Sequence, residues 1–228
     1  MEFRYVDIFF QVIVFLFAIS VHESAHAWMA NRCGDPTAKM LGRVTLNPIK
    51  HIDPFGTIIL PAITLFSGLG MFGWAKPTPV TPENFRNPVT GDIWTTIAGP
   101  ISNFILVAIS FTLLALIYLF TPLKHVAVID ILQGGPIDSS SVLLPIAWFL
   151  FRSLSINVLL GIFNLIPVPP LDGSHILRHA LPEPALKIYD TVGMFGIFIL
   201  FLVGGSIVAA LTRPPMLFLH NLLLKVTE

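Results

Sequence analysis

His22, Glu23 and His26 stand in the run His22-Glu23-Ser24-Ala25-His26, inside an apolar segment from Ile8 to Ala30. On a helix, residues four apart share a face, so the two imidazoles can grip one metal ion. Glu23 projects beside that face, where its carboxylate can take a proton from a metal-bound water instead of binding the metal. Imidazole nitrogens with a third ligand and an open position suit Zn²⁺, which lowers the pKa of a bound water to about 7. Ionisable groups at membrane depth are expensive and usually functional. Three of them in one apolar run require a metal or a polar cavity to satisfy them.

A zinc site of this kind needs a third protein ligand, and Asp172 is the leading candidate. Pro167, Pro169 and Pro170 break the preceding helix and Gly173 frees the backbone, so the carboxylate can turn inward. The alternative is an Asp that caps a short helix from Ser174 to Ala180. His175 and His179 are also four apart, but they fall in a more polar stretch and suit an interfacial or supporting place. His51 could approach the site from a polar loop, with a surface position as the alternative. Asn103 and Asn164 lie in apolar segments where a lone amide costs free energy. Each suits either a helix-to-helix hydrogen bond or, beside a metal, an oxyanion donor or a holder of an extended substrate. Arg152 and Asn157 read as a polar helix contact, and Cys33 as a packing residue.

The elements that position these residues must be membrane helices. The chain of 228 residues is 54% hydrophobic and 11% charged, too few polar groups to cover a water-facing globule of this size. Thirteen basic residues balance thirteen acidic ones, so no basic surface argues for nucleic acid. The first segment lacks a cationic lead and a small-residue cleavage site, and is expected to persist in the mature protein. The segments Ile93 to Phe120 and Val142 to Val168 read as spans, joined by the connector Thr121 to Ser141 with a turn at Gly134-Gly135-Pro136. A last span is expected over about Ile188 to Leu211, followed by an amphipathic surface helix from Pro214 to Val226. Asn31 to Asp53 reads as a polar surface loop with a short strand within Lys39 to Leu46, a candidate edge for an extended substrate.

Three blocks carry a family resemblance: His22-Glu23-Ser24-Ala25-His26, Ala98-Gly99-Pro100-Ile101-Ser102-Asn103, and Asn164-Leu-Ile-Pro-Val-Pro-Pro-Leu-Asp172-Gly173. In this order, each on or beside an apolar segment, they resemble the site-2 protease family of intramembrane zinc metalloproteases. The resemblance implies one Zn²⁺ per chain held by His22, His26 and Asp172, with Glu23 as general base. It also implies that Asn103 and Asn164 position substrate or stabilise the oxyanion, with His51 and His175 as accessory candidates. The implied activity is hydrolysis of peptide bonds in or near transmembrane segments of other proteins, often after a first cut elsewhere. The connector and tail leave no room for the PDZ or CBS domains of many relatives, so a short form is expected. The rival class is a non-enzymatic membrane metal-binding protein or metal transporter, which leaves Glu23 and the Pro-Pro-Leu-Asp-Gly block without a role.

If His22, His26 and Asp172 meet, an even number of full crossings separates them. Pro54 to Phe72, rich in proline and glycine, should then re-enter or lie at the interface. The expected fold is an all-α polytopic membrane protein with about four spanning helices, this re-entrant or interfacial segment and a small surface β element. It forms a single domain over 1–228, with a core over 8–180 and a C-terminal helix and tail over 181–228. The arrangement gathers Arg32, Lys39, Arg43, Lys50, Lys76, Arg86, Arg178 and Lys187 on the metal side and leaves Arg4, Lys124, Arg213 and Lys225 opposite. By the positive-inside rule the metal end faces the cytoplasm, in the cell membrane.

Overall fold

The structure, a computed structural model, describes residues 2–66, 73–121, 142–193 and 196–227. The expected turn at Gly134-Gly135-Pro136 lies outside the described residues. Helix α1 runs Glu2–Cys33, α2 is a single turn at Thr37–Met40, and α3 is the short apolar helix Pro54–Phe66. Next come α4 (Pro88–Phe120), α5 (Leu144–Asn164), α6 (Asp172–Ala180), α7 (Glu183–Gly193) and α8 (Gly196–Thr227). Among the described residues, three helices are long and apolar enough to cross a membrane: α1, α4 and α5. At 21 residues, α5 rises about 32 Å, which matches a hydrocarbon core of about 30 Å.

The helix ends follow from local chemistry. Helix α1 stops at Gly34, whose φ of +117° only glycine adopts readily. There Gly34 N donates to Asn31 O and Asp35 N to Ala30 O, closing the paired bonds of a Schellman cap. Helix α4 opens with Asn87, whose side chain accepts from Thr90 N, and with Pro88 at the first helical position.

Polar pairs set the helix directions. His26 meets Thr95 and His22 meets Asn103, so α1 and α4 are antiparallel. Asn103 meets Asn157 and Ser110 meets Ser153, so α4 and α5 are antiparallel too. At the far end Asp7 accepts from Arg152 Nε and Nη2, both at 2.6 Å, and from Trp148 Nε1 at 3.0 Å. Arg152 thus makes the polar helix contact expected of it. Around this layer Leu114, Tyr118, Leu144, Trp148, Leu154 and Leu223 form a buried core. Outward, Tyr5, Phe9, Ile13 and Phe17 form an exposed apolar stripe at helical spacing, as do Ile101, Ile105 and Ile109. Exposed stripes of this extent suit lipid contact.

Two expectations are corrected. Lys39 to Leu46 is not a strand. Met40 N and Leu41 N bond back to Pro36 O and Thr37 O, and Gly42 turns the chain at φ +67°. The Arg43 guanidinium donates to the carbonyls of Lys50, Lys76 and Pro77, so these backbone groups are satisfied without a ladder. The C-terminal stretch is not a separate surface helix, because α8 continues through Pro214 and Pro215 and buries Leu223 against α4 and α5. That packing compensates for the N–H groups the prolines lack. The expected span over about Ile188 to Leu211 falls on α7 up to Gly193 and on α8 from Gly196, with 194–195 outside the described residues.

Both ends of the segment built on α3 return to one place. Trp74 N donates to Gly56 O at 3.0 Å, and Thr57 Oγ1 donates to Trp74 O at 2.7 Å.

Candidate functional site

One turn apart on α1, His22 and His26 present their Nε2 atoms 3.0 Å from each other. Asp172 Oδ2, at the start of α6, lies 3.2 Å from the first and 3.4 Å from the second. Tetrahedral zinc with bonds of 2.0–2.1 Å places its ligand atoms roughly 3.3 Å apart, so the three separations fit one ion. The hydrogen bonds behind the rings support the same conclusion. His26 Nδ1 donates to the backbone carbonyl of Thr95 at 2.7 Å, and His22 Nδ1 donates to Asn103 Oδ1 at 2.6 Å. A neutral imidazole that donates from Nδ1 carries its lone pair on Nε2. Asp172 Oδ2 is buried and, among the described residues, takes no hydrogen bond. Three acceptors thus converge with no donor among them, and a cation at their centre satisfies all three.

Local sequence produces this convergence. A Cβ at Gly99 would overlap His26 Nε2 and His22 Cε1, so only glycine lets α4 lie against both imidazoles. Pro100 lacks the N–H that would bond Thr96 O, which breaks the ladder in the turn from which Thr95 O reaches His26. A Cβ at Gly173 would overlap the Leu165 carbonyl, so glycine also permits the tight return from α5 to α6.

Glu23, 9% exposed, shares a cluster with the imidazoles in which one ligand atom from each residue lies within 4.8 Å of the others. Thr78 Oγ1 sits 2.7 Å from Glu23 Oε2 and donates to it. The metal face opens on a cavity of about 650 Å³. Its walls include Trp74 and Thr78 on one side and Leu160, Phe163 and Asn164 on the other. The arrangement can hold a metal ion beside a carboxylate base, facing space for an extended peptide.

The remaining sequence candidates divide. Asn164 lines the cavity, with Nδ2 donating to Leu160 O at 3.0 Å. Asn103 is fully buried behind His22 and is not on the cavity wall. His175 reaches the cavity mouth, where Asp92 Oδ2 is 3.4 Å from its Nδ1 and 2.8 Å from His179 Nε2. The Asp92 hydrogen bond pushes the His175 imidazole up. His51, for which the sequence leaves open both an approach to the site and a surface position, is fully buried, its Nε2 donating to Thr45 O at 2.8 Å and its own carbonyl accepting from Lys76 N. Burial pushes its pKa down. It braces the loop under Lys76 and does not line the cavity.

Sequence reasoning missed Thr78, the Thr95 carbonyl and Asp92. Thr78 follows Lys76-Pro77 in a stretch without helical or strand periodicity, which carries no signal for a partner 55 positions away. A backbone carbonyl has no sequence signature at all.

The comparisons with known proteins agree with this geometry. The model of peptidase family M50 matches residues 10–203. A Bacillus subtilis protein named a candidate zinc metalloprotease, YwhC, is 39% identical over 192 residues, covering 84% of this chain and 78% of its own. Rip2 of Mycolicibacterium smegmatis, likewise named a candidate zinc metalloprotease, is 30% identical over 181 residues, covering 78% of this chain and 61% of its own. Rip2 of Mycobacterium tuberculosis is similar to the same degree. No solved structure gives a significant match. With the family model spanning most of the chain, this protein belongs to peptidase family M50.

Proposed function

We propose that this integral membrane protein is a zinc metalloendopeptidase that hydrolyses peptide bonds in or near transmembrane segments of other membrane proteins. The carrying observation is the convergence of His22 Nε2, His26 Nε2 and Asp172 Oδ2 at 3.0–3.4 Å, with the Glu23 carboxylate beside them. His22, His26 and Asp172 hold one Zn²⁺ in this reading. When bound, Zn²⁺ supplies Lewis-acid polarisation of the scissile carbonyl and acidifies the attacking water. Glu23 accepts the water proton and returns it to the leaving nitrogen. Thr78 anchors Oε2 of that carboxylate and so fixes the direction in which the base faces. Asn164, on the opposite wall, holds the substrate backbone. The run 73–80, which is neither helix nor strand, offers the neighbouring wall along which an unwound substrate lies.

The reading extends to topology. Helices α1, α4, α5 and α8 cross the membrane, and α3 re-enters as part of a single domain over 1–228. The 13-residue length of α3 and the Gly56–Trp74 bond support re-entry, because both ends of the excursion meet. The metal end faces the cytoplasm of a cell membrane, as the clustering of Arg32, Lys39, Arg43, Lys50, Lys76 and Arg86 supports.

The test is Glu23→Gln in detergent or proteoliposomes with a transmembrane substrate. Cleavage is expected to fall by at least two to four orders of magnitude, the range of a lost general base, with zinc content unchanged. Full cleavage with zinc still bound would leave the assignment without its base. Zinc retained in His22→Ala would refute the ligand set.

A further inference from the structure

His26 is fixed directly by a backbone carbonyl, whereas His22 is fixed through two buried amides. Asn103 and Asn157 are both fully buried. Asn157 Nδ2 lies 2.8 Å from Ser153 O, Asn157 Oδ1 lies 2.8 Å from Asn103 Nδ2, and Asn103 Oδ1 lies 2.6 Å from His22 Nδ1. An amide can be turned either way, but this chain cannot. Ser153 O is a carbonyl and only accepts, so the Asn157 amino group must face it. Asn157 Oδ1 therefore faces Asn103 and requires that residue's amino group. Asn103 Oδ1 is left for His22, whose Nδ1 must donate. Each step follows from the donor and acceptor inventory of the groups involved.

We propose that Asn157, acting through Asn103, is a positioning residue that locks His22 in the Nδ1–H tautomer and so keeps Nε2 bare for the metal, with the Ser153 carbonyl of α5 setting the direction. The inference rests on the reading that His22 is a zinc ligand, and it assigns Asn103 to the ring's orientation. Reversing either amide would turn an N–H toward His22 Nδ1, move the ring proton to Nε2 and close off one ligand atom. Because the relay starts in α5 and ends in α1, it makes the metal affinity of α1 depend on the seating of α5. Helix α5 also leads into the turn that carries Asp172.

The test uses two substitutions that remove the same amide but differ in direction. In Asn157→Leu nothing faces Asn103, whose amide is then free to reverse. Asn157→Asp still offers an acceptor to Asn103 Nδ2, whether its carboxyl is ionised or protonated. Metal-free full-length protein with ¹⁵N-labelled histidine is examined by NMR at a pH where the imidazoles are neutral, and zinc affinity is measured by chelator competition. The expectation is a mixed His22 tautomer and roughly 10- to 100-fold weaker zinc binding in Asn157→Leu, the range typical for partners of metal-bound histidine. Asn157→Asp should keep the wild-type tautomer and bind zinc within about threefold of wild type on the same scale. Asn103→Asp accepts from His22 in either orientation, so adding it to Asn157→Leu should restore the tautomer. Asn157→Ala is measured alongside, so a folding defect in the leucine variant does not remove the comparison. An unchanged His22 tautomer in the leucine and alanine variants would overturn the relay, as would equal damage in leucine and aspartate variants. The tautomer is read without metal, so that result is independent of zinc binding. Zinc retained in His22→Ala would count against the ligand set alone.

Discussion

Thr78 shows how much of this site rests on groups that sequence inspection passes over. Its hydroxyl is the hydrogen-bond donor at Glu23 Oε2, and it also reaches Glu23 O at 3.0 Å, so one side chain ties the Glu23 carboxylate and its backbone to the cavity wall. A hydrogen bond to a charged group is worth about 1.5–3 kcal/mol. Thr78→Val, which keeps the shape and removes the hydroxyl, should therefore lower kcat by about tenfold or more. KM and zinc content should stay near wild type, and steady-state kinetics with a metal assay would check this. The His22-Glu23-Ser24-Ala25-His26 spacing is legible in the sequence because helical geometry alone places those imidazoles together. Their ring orientation is not, since it depends on Thr95 O and Asn103 from another helix.

At the scale of elements, the loop after α1 is held to the wall beside the site by one buried carboxylate. Asp35 Oδ1 accepts from Thr37 N and Asn84 Nδ2, both at 3.0 Å, and Oδ2 accepts from Thr81 N at 2.7 Å. Burial by itself would raise this carboxyl, but the bonds from Asn84, Thr37 and Thr81 outweigh it and hold the group below the usual carboxylate range. A depressed folded-state value means that the stabilisation is complete above the unfolded value and is lost as pH falls through the folded one. Wild-type melting temperature should drop through that acid window. Asp35→Asn should melt lower at neutral pH and show a shallower acid dependence, measured by thermal unfolding across pH. The long helices are legible from apolar runs, but their ends are not. Lys39 to Leu46 has strand-like residues, yet Arg43 takes up the neighbouring carbonyls and no ladder forms. Pro214-Pro215 reads as a stop, yet Leu223 packs against α4 and α5 strongly enough to carry α8 through it.

For the whole molecule, the contacts imply one direction for each helix and hence one sidedness. In a Cys33→Ala background, Met40→Cys and Glu83→Cys should react with a membrane-impermeant thiol reagent from the same side. Met40 is 80% exposed and Glu83 is likewise at the surface. Val142→Cys, at a position 86% exposed, should react only from the other side. Labelling of Glu83→Cys from the side opposite to Met40→Cys would mean that α3 crosses fully. Composition and motif spacing alone point to a bilayer protein with an H-E-x-x-H motif on one helix face, because hydrophobic length and helical periodicity are local properties of the chain. The Leu-Asp-Gly block identified a third ligand only as a candidate with a capping alternative. Folding brought Asp172 Oδ2 to within 3.4 Å of both imidazoles across 146 positions of chain from the nearer one. Only that convergence favours the proposed ligand over a helix cap, and only the packing of α1, α4 and α5 shows Asn103 behind a ring and Asn164 on a cavity wall. Both amides sit in apolar runs, and hydrophobic pattern reports how deep a residue lies but not which neighbour its hydrogen bonds find.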